Sequence, residues 1–336
     1  MLDDRKAAIL RAVVEEYIDT AQPVGSGYVS RSTGIDVSPA TIRNEMAALE
    51  RDGYLAHPHT SAGRVPTEKG YRFFVDSLDP PGLLEPIQRH QVKSFFARAH
   101  GELEQMLAET SRLLSNLTEH TAVVVRPGHD RATVRSLQLV PLAPRLALLV
   151  VVLSNGAVEK RTVEFTAEVG DERVAAGSAH LASQLMGMTL TAAAEPRSWA
   201  PSGDPATDEV VAVALAALRP GRDDESDQVY VGGAARMADA FDAVDTVRRV
   251  LELLEHQLIV VSLLHDVIDR GLTVAIGSET GLEPLAECSV VVAPYEVDGE
   301  PAGTIGILGP TRMNYPQALA AVATVSQRLG RRLREG

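Results

Sequence analysis

Between residues 38 and 78 the sequence leaves a helical repeat, crosses a stretch that cannot be helical, and returns to a helical repeat. The first run, "SPATIRNEMAALERD", sets Ile42, Met46 and Leu49 at i, i+4 and i+7, one stripe of a helix. Ser38 is a suitable N-cap, Pro39 falls at the first helical position where its missing N–H costs nothing, and Gly53 supplies the stop. The next run, "YLAHPHTSAGRVPT", reads as a short strand, a turn, and a return strand starting at Arg64-Val65. Thr67 then caps a closing helix, "EKGYRFFVDSL", which turns Tyr71, Phe74, Val75 and Leu78 inward and Lys69 and Arg72 outward. Upstream, Ile9, Leu10, Val13, Val14, Tyr17 and Ile18 make one apolar stripe, and a shorter helix starts near Ser26 and ends at Gly34. Three short helices followed by a two-stranded flap spell a winged helix-turn-helix.

The outer side of the third helix carries Ala40, Asn44, Ala47 and Arg51, with Thr41 and Arg43 on its flanks. Small residues let a helix lie close to a surface. Asn and Arg pair bidentately with adenine and guanine edges, and a methyl suits the thymine methyl. A plain solvated helix is the competing reading. The flap adds His59, Thr60 and Ser61, whose polar groups suit phosphate, and Arg64, expected near the tip where it could enter a minor groove. Ser38, Lys69 and Arg72 complete the expected DNA-facing set, in which Thr41, Ser61, Lys69 and Arg72 are the candidates for backbone contacts.

Net charge of −13 would argue against nucleic acid if it were spread evenly. Residues 1–75 hold 9 Lys and Arg against 10 Asp and Glu, so −12 of the −13 lies beyond them. A near-neutral reader must place a few cations well. The lone cysteine, Cys288, excludes an intramolecular disulfide and suits a reducing compartment; in "ECSVVVAPY" it reads as a buried, inert thiol. "MLDDRKAAIL" lacks the pattern of a secretory signal, and "LALLVVVL" and "LIVVSLL" are shorter than the roughly 20 residues of a membrane span. The expected location is the cytoplasm.

"DPPGLLEP" breaks the chain near residue 80. From 85 to 119 the pattern is helical. Val92, Ala99, Met106 and Leu113 form one row at seven-residue spacing, and Phe96, Leu103, Thr110 and Leu117 a second. That is either a coiled-coil seam or an amphipathic helix lying on its own domain. "TAVVVRP", "SLQLVPLAPRLALLVVVLSNGAVEKRTVEF", "GLTVAIGSE" and "CSVVVAPYEVDGEPAGTIGILGP" read as strands, with hairpin turns at Asn155-Gly156 and Asp298-Gly299. A helical block lies between them, with an acidic loop, "GRDDESDQ", and a heptad-like run through "VDTVRRVLELLEHQLIVVSLLHDVI". A last helix spans about 315–333. Strands early and late around a helical block suggest an α+β domain interrupted by an insert.

Two runs, "SPATIRNEMAALERDGYL" and "PHTSAGRVPTEKGYRFFVD", resemble the signature of the bacterial heat-inducible transcription repressor HrcA family, and the resemblance continues to "TIGILGPTRMNYPQAL". It implies an α+β multidomain chain: a winged helix-turn-helix DNA-binding domain over 1–80, a connecting helix over 81–119, a GAF-like domain in two parts over 120–166 and 262–336, and an inserted dimerisation domain over 167–261. It further implies a homodimer on double-stranded DNA at an inverted-repeat operator. Chaperone operons would be repressed there and released on heat stress, with activity maintained by a GroEL-type chaperonin.

No enzyme is expected. The sequence contains no G-x-x-x-x-G-K-[ST], H-E-x-x-H or G-x-S-x-G. His57 and His59 alternate on one strand face without a third metal ligand nearby, and His256 and His265 fall on opposite helix faces, so no metal or other cofactor is expected. "GPTRMNYP" precedes a helix and could hold an anion, although a plain strand-to-helix turn is the commoner case. The alternative to a heat-responsive repressor is a metabolite-responsive regulator with an effector pocket in the GAF-like domain.

Overall fold

The computed structural model describes residues 2–32, 38–58, 63–78, 83–98, 103–126, 132–154, 158–194, 200–218, 229–237, 241, 244–270, 273–297 and 299–335. It is a mixed helix-and-sheet, multidomain chain. The reader domain holds α1 (Asp4–Thr20), α2 (Ser26–Ser32), α3 (Pro39–Arg51), β1 (Leu55–Ala56), β2 (Val65–Pro66) and α4 (Glu68–Asp76). Asp3 caps α1 through Lys6 N–H at 2.9 Å, and Ile9, Leu10, Val13 and Val14 face the core as the stripe required. Gly53, at φ 79°, ends the turn after α3 in the left-handed region.

The chain then builds a five-stranded antiparallel sheet in the order β7-β3-β10-β9-β8, from β3 (Thr121–Val125), β7 (Val229–Gly232), β8 (Val274–Ile276), β9 (Cys288–Val297) and β10 (Glu300–Pro310). Helices α5 (Pro86–Arg98), α6 (Leu103–Thr118) and α12 (Tyr315–Glu335) cover one face; α10 (Val244–Glu255) and α11 (Gln257–Asp269) cover the other. A sheet with helices on both faces is an α+β layout, in the part of the chain expected to be GAF-like. The apolar cluster on the first face is continuous with the reader core, running from Ile9, Leu49 and Phe74 to Val325 and Ile305. The reader is therefore packed on the larger domain and not tethered beside it.

Between β3 and β7 lies a separate body: a three-stranded antiparallel sheet of β4 (Val134–Ala143), β5 (Leu146–Leu153) and β6 (Val158–Glu164), backed by α7 (Asp171–Leu185), α8 (Leu190–Ala194) and α9 (Pro205–Ala217) around its own core. The insert therefore occupies about 132–218, and not 167–261. Strands β4 to β6 pair among themselves, with Leu149 and Val151 packed under α7 and α9, so 132–166 leaves the GAF-like domain. The stretch 244–269 joins that domain because Val250, Val260, Leu264 and Val267 bury against Val290, Val292 and Leu308 of its sheet.

Two helical expectations also resolve. Within 85–119 the described residues form α5 and α6, and both rows face the chain's own domain: Val92, Phe96 and Leu117 are buried in the cluster beneath α12, and Leu103, Met106 and Leu113 pack against it. The described part of both rows fits the amphipathic alternative. The heptad-like run of 244–269 is interrupted at His256, whose backbone leaves the helical region. Gly34, the Asn155-Gly156 turn, the loop 221–228 and Asp298 lie outside the described residues. Cys288 is fully buried, and burial first, then the charge of Glu287, pushes its thiol up to about 12. Among the described residues no helix is long and apolar enough to cross a membrane.

Candidate nucleic-acid interface

Helix α3 presents the face that its sequence implies. Ile42 and Leu49 are fully buried against α1 and α2, which fixes the rotation of the helix. Ser38, Ala40, Arg43, Asn44 and Arg51 are exposed, and Thr41 and Ala47 half-buried. Ser38 Oγ accepts from Thr41 N–H at 3.2 Å, so the cap sets the start of the reading face. Among the described residues the side chains of Arg43, Asn44 and Arg51 have neither an ion pair nor a hydrogen bond, which leaves their donors available. Glu45, on the flank, is held by Arg5 of α1 at 3.7 Å.

The wing is pinned at its base. Leu55 pairs with Pro66 and Ala56 with Val65, and Val24 and Arg64 exchange two backbone hydrogen bonds of 2.8 Å each. Thr67 Oγ1 donates to Gly53 O at 2.7 Å, tying the return strand to the end of α3. His59, Thr60 and Ser61 lie outside the described residues.

Three of the expected DNA-facing cations are placed otherwise. Arg64 is not at the tip. It sits at the wing base, with Nε 2.7 Å from Glu50 Oε2 of α3, because its backbone is the strand partner of Val24. Lys69 donates to Asp52 O at 2.8 Å and stands 4.3 Å above the Tyr54 ring, so it caps the C-terminal end of α3. Arg72 faces the GAF-like domain. Its Nε donates to Glu279 Oε1 at 2.9 Å, its Nη2 to Glu279 Oε2 and to Val274 O at 2.8 Å, and its Nη1 to Asp76 at 3.2 Å.

Sequence reasoning missed the partners in this contact. Glu68 of α4 accepts from the Ser278 N–H at 3.1 Å and from the Ser278 hydroxyl. Glu279 also accepts from Ile276 N–H at 2.9 Å. Burial alone would raise the Glu279 carboxyl, but the hydrogen bonds from Arg72 and Ile276 and the Arg72 charge hold it below the usual glutamate range. A pair 207 residues apart leaves no local pattern to read.

The sheet face under α10 and α11 is filled by Leu253, Leu254, Val260, Leu263 and Leu264, leaving an apolar void of about 10 Å³, while a hollow of about 630 Å³ lies on the outer side of α11, lined among others by Asp266, Asp269, Arg270 and Leu282. In "GPTRMNYP", Asn314 Oδ1 accepts from Gln317 N–H at 3.1 Å, a cap at the start of α12. Among the described residues no group of three or more His, Cys, Asp or Glu could hold a metal.

Residues 104–319 match the family described as HrcA protein C terminal domain. The chain is 41% identical over 340 residues to the heat-inducible transcription repressor HrcA of Nocardioides sp., with all of both chains covered. It is 40% identical to that of Thermobifida fusca, over 98% of this chain and 96% of that one. A crystal structure of a hypothetical protein at 2.2 Å resolution superposes over 100% of this chain and 99% of that chain, with a TM-score of 0.68 at 22% identity, a likeness of fold. On the strength of these full-length matches, and of the helix-turn-helix with its paired β1 and β2, the chain belongs to the HrcA family of heat-inducible transcription repressors.

Proposed function

We propose that the protein represses heat-shock chaperone operons by binding an inverted-repeat operator on double-stranded DNA as a homodimer. One observation carries this reading. Arg43, Asn44 and Arg51 stand unpaired among the described residues beside Ala40 and Ala47, on the exposed face of a helix that a winged-helix core holds rigid. Such a face fits a major groove, where Arg reads guanine and Asn reads adenine. The contact set is narrower than the sequence suggested: Ser38, Ala40, Thr41, Arg43, Asn44, Ala47 and Arg51, with the wing stretch that carries His59, Thr60 and Ser61.

The dimer reading is supported by the insert. Among the described residues its three-stranded sheet has helices on one face only. On the other, the central strand turns Leu146, Leu148, Val150 and Val152 outward, flanked by Leu142 at 56% exposure and Val158 at 42%. An apolar stripe of this kind on a soluble body suits a second copy of itself, and a two-fold pair of readers suits an inverted repeat. Release on heat stress needs only that this association be marginal, because a modest loss of dimer empties the operator. Family resemblance adds a GroEL-type chaperonin that keeps the repressor in its folded, dimeric form. A DNA-binding repressor works in the cytoplasm of a bacterium.

Footprinting of the purified chain on fragments of its own genome, below and above growth temperature, tests the proposal. Protection of an inverted repeat at the lower temperature, lost at the higher, is expected. No preference for any duplex over random competitor rejects it.

A further inference from the structure

Arg72 and Glu68 lie side by side on α4, and both end on one short 3-10 turn of the GAF-like domain, Gly277–Thr280. Arg72 forks onto Glu279 and reaches the Val274 carbonyl of β8; Glu68 takes the Ser278 N–H and hydroxyl. Gly277, at φ 53°, gives Glu68 its room, since a Cβ there would meet the Glu68 carboxylate. Forked guanidinium–carboxylate pairs fix orientation as well as distance. With the Tyr71–Tyr315 ring contact at 5.9 Å, the contact sets how the reader sits on the larger domain. Docking does not hide the reading face, because Arg43, Asn44 and Arg51 remain exposed.

We propose that Arg72 and Glu68 are positioning residues for operator reading: they touch no DNA, and they fix the separation and tilt of the two readers in the dimer. The proposal rests on the DNA-binding reading. Two linked readers gain avidity only when their geometry lets both half-sites be engaged at once. Half-sites on one face of the duplex lie about 34–36 Å apart, one helical turn. The shared apolar core joins the reader to the larger domain, and the two polar contacts fix its tilt within that joint; with them one spacing is selected, and without them neighbouring spacings are accepted, each more weakly.

The test uses the full chain and three variants: Arg72→Glu, Ser278→Ala, and the exchange Arg72→Glu with Glu279→Arg. Each is measured on a single half-site duplex and on inverted repeats of graded spacing. For Arg72→Glu, half-site affinity within about twofold of the native value is expected, while affinity for the preferred inverted repeat falls about tenfold or more and the spacing preference flattens. The exchange restores the preference. Ser278→Ala, the milder change, lowers it part-way. Retention of the native spacing profile by Arg72→Glu, or failure of the exchange to restore it, overturns the proposal.

Hydrogen exchange gives an arm independent of DNA. In Arg72→Glu, amides of 68–76 and 274–280 exchange roughly tenfold faster while those of α1 to α3 keep their rates. Unchanged exchange in both segments also overturns the proposal. If the native chain binds no duplex at all, the DNA-binding reading falls instead, and the two failures are told apart.

Discussion

Arg43 and Asn44 extend from α3 with no partner among the described residues, while Arg64 and Arg72, chemically the same kind of group as Arg43, are committed within the molecule. The consequences of substitution divide accordingly. Arg43→Ala or Asn44→Ala should leave the fold intact and weaken operator binding by about 1–3 kcal/mol, with relaxed preference at one base pair, measured by gel shift against single-base operator variants. Arg64→Ala should leave the slope of log affinity against log salt unchanged, because that side chain meets Glu50 and not phosphate, and should instead lower the melting temperature that the reader shares with the larger domain. Tyr71 is 3% exposed, and among the described residues its hydroxyl has no hydrogen-bond partner. Tyr71→Phe should therefore raise the melting temperature, consistent with a gain of about 1 kcal/mol or more from removing an unsatisfied buried group. His120 titrates at about 4, pushed down first by burial and then by the charges of Arg312 and Arg236. The unfolded chain takes up that proton near 6.5 and the folded chain resists it, so stability present above pH 6.5 is lost as pH falls toward 4. The drop is on the order of 3 kcal/mol, and denaturant titrations at pH 7 and pH 5 should show a smaller difference in His120→Asn than in the native chain.

At the scale of elements, what the sequence discloses follows from how local the cause is. Helix α3 was legible to within a residue because its cap, its proline, its stripe and its stop all lie inside 38–53. The allegiance of β4 to β6 was not. A strand alternating Ala147, Leu149, Val151 and Leu153 against Leu146, Leu148, Val150 and Val152 reads the same whether it joins the larger sheet or starts its own. The rows at 85–119 were ambiguous for the same reason, since seven-residue spacing serves a partner chain or the chain's own α12. The committed arginines were illegible because Arg72 meets Glu279 only after the whole insert has been threaded. The outward stripe of β5 leads to an element-scale expectation: Leu148→Asp should leave the insert folded and shift sedimentation from dimer to monomer, a loss of roughly 2–4 kcal/mol if the stripe is the centre of the interface. Dimerisation unchanged in that variant would move the interface elsewhere.

At the scale of the whole molecule, one apolar cluster runs from the reader through α5 and α6 to α12, so reader and GAF-like domain should melt together. Calorimetry should show their transitions coincide, while the insert, with a core of its own, can unfold separately. Warming should reduce dimer content and operator occupancy in parallel. The order of the chain adds a constraint of another kind. The elements that seat the reader, the Gly277–Thr280 turn and α12, follow it in the chain beyond the whole insert, and β3 must wait for β10 before it has its central neighbour. A polypeptide still emerging from the ribosome therefore carries a finished reader before its seat on the larger domain has been made.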